Sequence, residues 1–258
     1  MRVELTAFSR NIDFLVNTIE RNNFSAVHLT NKDTHENNLA ALSVLTSTFP
    51  SVHFCAHYSI KYQYKRKAEI SAHWLVQYTQ KLIDMGVDSL LLMSGVPRRT
   101  FDVLAGLQIL KDHNLLSNID VYVVYNPFLA GDELEQENER LIQKLRFAEL
   151  KGVFLQIGLN AAAATAGIER IRKNRPHIPI FASVLVPSHH FSQRFQFRPW
   201  KGVHLPNSFL QASLAGQIKI AQNMAEFYTS NGVDILAEMF PFDEELWQQF
   251  ASSGTHLS

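Results

Sequence analysis

The chain has 258 residues, 46% of them hydrophobic, with 24 basic residues balancing 24 acidic ones and one cysteine, Cys55. This is enough apolar residue for a large core, in one α/β barrel or two small domains, and we expect a single domain over residues 1–258. Zero net charge gives no global field toward nucleic acid or an anionic membrane, and one cysteine excludes an intramolecular disulfide framework. The start, Met-Arg-Val-Glu-Leu-Thr, lacks the build of a signal peptide, and no run approaches about 18 apolar residues, so a soluble cytoplasmic protein is expected.

Strand-like apolar runs alternate with helical patterns eight times along the chain. Residues 2–7 read as a first strand and 11–21 as a helix with Ile12, Leu15, Val16 and Ile19 on one face. A second strand, 24–30, ends at Thr30, and a helix follows over 36–48. The third strand, 52–57, ends at His57; after a basic loop a helix over 69–85 stops at Gly86, a natural C-terminal cap. Strand four is 87–93, helix four 101–113, strand five 119–125 and helix five 132–148. Strand six is 152–157, helix six 162–174 and strand seven 178–183. The segment 184–206, aromatic and irregular, reads as a functional loop. Helix seven, 211–230, strand eight, 233–240, and a last helix with Leu246, Trp247 and Phe250 complete the chain. Eight βα units in a chain near the roughly 250 residues typical of the architecture predict a (β/α)8 TIM barrel. An open doubly wound sheet is the alternative, but no Gly-x-Gly-x-x-Gly or Walker loop follows any strand.

Ligands of such barrels gather at the carboxyl ends of the strands, and here every end carries a polar residue. The set is Glu4, Thr30, His57, Ser94, Tyr125 with Asn126, Gln156, Ser183 and Glu238. Taken singly, each could be an ordinary polar tip facing water.

Several short motifs occur in one order: Val3-Glu4, Val27-His28-Leu29-Thr30, Ala56-His57, Met93-Ser94-Gly95-Val96-Pro97, Tyr125-Asn126-Pro127, Leu141-Ile142-Gln143-Lys144, Leu155-Gln156 and Val184-Leu185-Val186-Pro187. In this order the chain resembles the methylenetetrahydrofolate reductase family over nearly its whole length. The resemblance implies a flavoprotein oxidoreductase of one-carbon metabolism: a barrel that holds FAD non-covalently, takes hydride from NAD(P)H and passes it to a folate-bound one-carbon group. It assigns Glu4 the role of the acid that protonates the folate nitrogen. An acid in that role carries its proton near neutral pH, which an apolar surrounding favours for a carboxyl group. Thr30, His57, Ser94, Tyr125 and Lys144 match cofactor-binding positions, and Gln156 matches an amide that contacts substrate. For Lys144 the ordinary reading is a lysine on a solvated helix face.

The chain departs from the family where Arg-Gly-Asp-Pro is replaced by Ser94-Gly95-Val96-Pro97. Valine offers nothing like the two charge-assisted bonds, about 1.5–3 kcal/mol each, that a carboxylate can make to a pterin edge. Arg98 or Arg99 is a candidate for the missing arginine's contact with a diphosphate. The basic loop with Lys61, Lys65, Arg66 and Lys67 between tyrosines is too short, in a neutral chain, to indicate nucleic acid. Without a His-Glu-x-x-His or similar spacing no metal site is expected, although His57, His189 and His190 with Glu4 or Glu238 supply ligand types. Cys55 reads as a small apolar residue of strand three. Two function classes follow. One is a flavin-dependent reductase acting on folate or another small one-carbon carrier; the other is a flavin-free barrel serving as a lyase, a methyl-transfer component or a partner-binding protein. Neither class needs nucleic acid or a membrane, and homo-oligomerisation is left open.

Overall fold

The computed structural model describes residues 1–6, 11–30, 38–65, 67–93, 101–200 and 202–252, apart from the side chain of His189. Its strands are β1 (Arg2–Thr6), β2 (Ala26–Thr30), β3 (His53–Ser59), β4 (Ser89–Met93), β5 (Asp120–Tyr125), β6 (Gly152–Leu155), β7 (Ile180–Leu185) and β8 (Asp234–Glu238). They follow one another in sequence order around a closed barrel, and every register that is described is parallel. The expected (β/α)8 barrel is therefore the fold. The helices between and after the strands are α1 (Ile12–Asn22), α2 (Leu39–Thr48), α3 (Ile60–Gln63), α4 (Ala68–Asp84), α5 (Val103–Asp112), α6 (Gly131–Lys144), α7 (Ala161–Asn174), α8 (His189–Phe197), α9 (Asn207–Leu210), α10 (Leu214–Ser230) and α11 (Glu244–Ala251). Among the described residues no helix is long and apolar enough to cross a membrane.

Contacts group the chain into two compact units, one of Met1–Glu4, Tyr125–Ile142 and Val153–Ser258, the other of Leu5–Val124 and Gln143–Gly152. In the second unit the strand faces can be told apart by what they touch. The ring of Tyr58 lies 5.0 Å from that of Tyr78 on α4, and Leu92 packs so near Gly106 of α5 that a Cβ there would meet it at 3.2 Å. Residues of that phase face the helices. Alternation along a strand turns the other phase inward: His28 and Thr30 on β2, Cys55, His57 and Ser59 on β3, and Leu91 on β4. Asn38, buried at the start of α2, donates to the carbonyl of Leu29 (2.8 Å) and accepts from the Tyr78 hydroxyl. This bond pair ties the carboxyl end of β2 to two helices.

In the first unit the guanidinium of Arg2 on β1 sits 4.7 Å over the ring of Phe181 on β7, although β8 lies between those strands. Side chains of non-adjacent strands meet in this way on the concave, inward face. Phe154 of β6 stacks on Phe181 with centroids 4.6 Å apart, so it shares that face. Glu4, Ser183 and Glu238 follow in phase, with Glu4 in register with Glu238 and Ser183 with Leu236.

Two expectations change. Strand β7 runs on to Leu185, and the segment expected to be irregular contains α8, with α9 starting directly after it. Ser188 starts α8 by accepting from the backbone N–H of Phe191 (3.1 Å), an N-cap that satisfies a donor the helix itself cannot. Phe191 and Phe195, four residues apart on one helix face, then pack with Leu185, Ile157, Val203 and Phe209 into a small core against Trp200. Ser192 bonds Gln217 of α10 at 2.7 Å, which fixes α8 to the helix layer. Likewise, part of the expected basic loop after β3 is the short helix α3, preceded by two further strand residues.

Candidate active site

In the first unit the candidate site is built on β1, β6, β7 and β8. Glu4 stands in the middle of β1 with 9% of its surface exposed, and Glu238, directly beside it in register, ends β8. Glu4 and Glu238 thus place two carboxylic residues in register on neighbouring strands of the inward face, the residue type that serves as a general acid. Arg2 lies two residues before Glu4 on the same face and Ser183 is buried in phase on β7. Gln156 follows β6 in phase with Phe154; its backbone N–H donates to the carbonyl of Tyr125 (2.9 Å) and its side-chain oxygen accepts from the N–H of Ile157 (2.9 Å). With the oxygen engaged, the amide NH2 group is the part of Gln156 that is turned to other partners.

The loop after β5 is held closely in this unit. Asn126 accepts from the N–H of Phe128 (3.1 Å) and donates to the carbonyl of Gly202 (2.7 Å). The Phe128 ring covers Gly158, where a Cβ would fall 2.4 Å from it, and Pro127 covers Gly167, where a Cβ would fall 2.7 Å away. Tyr125 is turned to the helices. Its hydroxyl donates to Asn138 of α6 (2.6 Å), and a Cβ on Gly167 of α7 would touch its ring at 3.2 Å. Burial pushes its phenol pKa up, the Arg170 guanidinium opposes this by charge and a hydrogen bond, and Glu137 adds to the rise.

In the second unit, Thr30 ends β2, with its hydroxyl 3.3 Å from that of Thr6. His57 on β3 lies with Nε2 3.1 Å from Nδ1 of His28 on β2. Lys144, instead of facing solvent, is 5% exposed, and its ammonium donates to the carbonyl of Val124 at 2.7 Å. An ammonium bonded to the carbonyl next to the end of β5 is a buried clamp between α6 and that strand. Ser94 and Arg98, with Val96 and Arg99, lie outside the described residues.

The structure therefore places Glu4, Thr30 and His57 on inward faces of their own units, and gives Tyr125 and Lys144 partners within the protein. For a flavin, this means that two of the side chains assigned to it direct their polar atoms to α6 and to a β5 carbonyl. From the sequence, Cys55 reads only as a small apolar residue and His28 has no role of its own. The signal was there as a two-residue period shared with Thr30 and His57, but the register that brings β2 and β3 together is not written in either strand alone.

No protein-family model matches the chain, and no curated protein matches it. Solved structures do. One is described as an uncharacterized protein from Clostridium thermocellum that binds two copies of 5-methyl-5,6,7,8-tetrahydrofolic acid; it is 13% identical, with a TM-score of 0.68 over 97% of this chain and 92% of that one. A D-tagatose 3-epimerase-like protein is 13% identical, with a TM-score of 0.56 over 98% of this chain and 97% of that one. The 7,8-dihydropteroate synthase of Vibrio fischeri is 12% identical, with a TM-score of 0.52 over 97% and 89%. At such identities the likeness is one of fold.

Proposed function

We propose that this barrel is an enzyme acting on a reduced folate-type one-carbon carrier, in the manner of the methylenetetrahydrofolate reductases its sequence resembles, with Glu4 as proton donor. The observation that carries the reading is the buried residue Glu4 on the inward face of β1, in register with Glu238. Opening a carbon–nitrogen ring at a folate needs a proton delivered to nitrogen, and a buried acidic residue in register with a second one is suited to deliver it. Gln156, with its amide NH2 group turned away from its own backbone, would orient the carrier through an acceptor oxygen. The methyltetrahydrofolate-binding structure from Clostridium thermocellum, alike over 97% of this chain, supports the choice of carrier.

The reading calls for FAD, with NAD(P)H as candidate donor of hydride. Thr30 and His57 are the described residues whose placement suits a cofactor on the inward face of the second unit, and Ser94 and Arg98 are assigned to it by resemblance alone. A flavin-free barrel that binds or transfers the one-carbon group is the second reading. It is favoured by the internal bonds of Tyr125 and Lys144, which engage the two polar groups a flavin would need. The absorption spectrum of the purified protein before and after FAD addition and desalting separates the two. A retained flavin band, weakened by Thr30→Ala, supports the reductase reading. A colourless protein that keeps no added FAD but binds reduced folate supports the flavin-free one. Failure to bind either would overturn both.

A further inference from the structure

Strands β2 and β3 run side by side with His28 in register with Cys55, and the two-residue period of a strand puts His57 on the same inward face. Interior positions of a (β/α)8 barrel are dominated by branched aliphatic side chains. Here two imidazoles and a thiol take their place, with 0% of His28, 0% of Cys55 and 4% of His57 exposed. Nδ1 of His28 and Nε2 of His57 are 3.1 Å apart, with the rings edge-on at 80°. One ligand atom from each of the three residues lies within 4.8 Å of the others. Around a tetrahedral zinc ion with bonds of about 2.0–2.1 Å to nitrogen and about 2.3 Å to sulfur, nitrogen–nitrogen edges measure about 3.3 Å and nitrogen–sulfur edges about 3.6 Å. The imidazole pair is thus already spaced as one edge of such a tetrahedron, and a side-chain movement on the order of 1 Å brings the thiol to the next corner.

We infer that His28 Nδ1, Cys55 Sγ and His57 Nε2 form a binding site for a zinc-class divalent ion. Thiolate and imidazole suit zinc and its neighbours, whereas magnesium and calcium require oxygen ligands. The proton balance is simple. Without the ion, one of the two facing nitrogens carries the proton of their 3.1 Å hydrogen bond; on binding, that ring moves its proton to its other nitrogen, so each imidazole binds as a neutral ring with its one proton on Nε2 of His28 or Nδ1 of His57. The Cys55 thiol releases its proton to solvent, so one ion enters as one proton leaves, and no redox change occurs. Three protein ligands leave a fourth position open, which is the arrangement of catalytic rather than structural zinc. The site draws on β2 and β3 alone; it takes for the ion the His57 imidazole that the flavin reading gives to its cofactor, and it stands whether or not the protein acts on a folate.

The test is a titration of chelator-stripped full-length protein with Co2+ and then Zn2+, followed by absorption and by thermal unfolding, and repeated on protein refolded from denaturant with the ion present. The inference expects one equivalent of Co2+ per chain, a sulfur-to-cobalt charge-transfer band, displacement of Co2+ by Zn2+, and a thermal midpoint that rises with zinc concentration. In Cys55→Ala the charge-transfer band is lost, and in His28→Asn affinity falls by about tenfold or more. Cys55→Ser, nearly isosteric, replaces the alanine variant if that fails to fold, and it too should lose the band. No stoichiometric uptake by either route overturns the inference, as does uptake whose spectrum and midpoint are the same in Cys55→Ala and His28→Asn as in the parent.

Discussion

The inward faces of the two units carry different chemistry on the same strand geometry. In the unit with β2, β3 and β4 the polar groups are imidazole, thiol and hydroxyl, from His28, Cys55, His57, Thr30 and Ser59. In the unit with β1, β7 and β8 they are carboxyl and guanidinium, from Glu4, Glu238 and Arg2, with the hydroxyl of Ser183. Nitrogen and sulfur lone pairs suit a soft cation, while carboxyl groups suit the movement of protons. The barrel thus sets positions, and the residues placed on them decide the reaction, which is why fold likeness at 12–13% identity does not carry function with it.

Removing the acid of one face should have the largest effect. Glu4→Gln keeps shape and hydrogen bonding but cannot donate the proton, so turnover of a reduced folate should fall by about 10²–10⁴-fold. The folded protein and its affinity for the carrier should change little. Equal loss of affinity and turnover would make Glu4 a binding group instead, and the contrast between the two faces would lose its catalytic half.

The loop after β5 belongs to the carboxyl-bearing unit, and its hold depends on glycine. Gly158→Ala places a methyl group 2.4 Å from the Phe128 ring and should cost about 1–3 kcal/mol of stability by denaturant unfolding. A neutral effect would show that Phe128 moves freely and that the loop is not fixed by this contact.

In the other unit Tyr78→Phe removes the hydroxyl that donates to Asn38, leaving a buried amide oxygen without that bond, at about 1–3 kcal/mol. A smaller, pH-dependent effect accompanies it. Burial holds the Tyr78 and Tyr58 phenols well above the ordinary tyrosine value. A group whose pKa is raised by folding contributes stability that is complete below its unfolded pKa, about 10 for tyrosine, and lost as pH climbs from there toward the folded value. Unfolding free energy should therefore hold up to a pH of about 10 and fall beyond it, and the fall should be shallower in Tyr78→Phe.

The barrel was legible because helical and strand periods alternate: Ile12, Leu15 and Ile19 fall at helical spacing on α1, and the apolar runs of β4 and β5 are short and bounded by turn residues. The segment after β7 was not, since its prolines and arginines suggest a loop while Ser188 and the Phe191–Phe195 pair, which do specify α8, occupy only nine helical residues. Among the site residues, Thr30 stands at the end of its strand as expected, whereas Glu4 and His57 lie inside β1 and β3, which run two residues further than the polar tips suggested. Lys144 could not be placed correctly, because a lysine at the end of a polar helix gives no sign that its ammonium will bond the carbonyl of Val124. Nor could the pairing of His28 with Cys55, or of Glu4 with Glu238, which depends on strand register and so on contacts distant in sequence.

The account rests most directly on the carrier. Calorimetric titration of the protein with 5-methyltetrahydrofolate, beside Gln156→Ala and Glu4→Gln, measures it. The account predicts saturable binding by the parent and by Glu4→Gln, and binding weakened about tenfold by Gln156→Ala, the size of one lost neutral hydrogen bond. Absence of saturable heat up to concentrations on the order of 1 mM, where binding would be worth no more than about 4 kcal/mol, would contradict it.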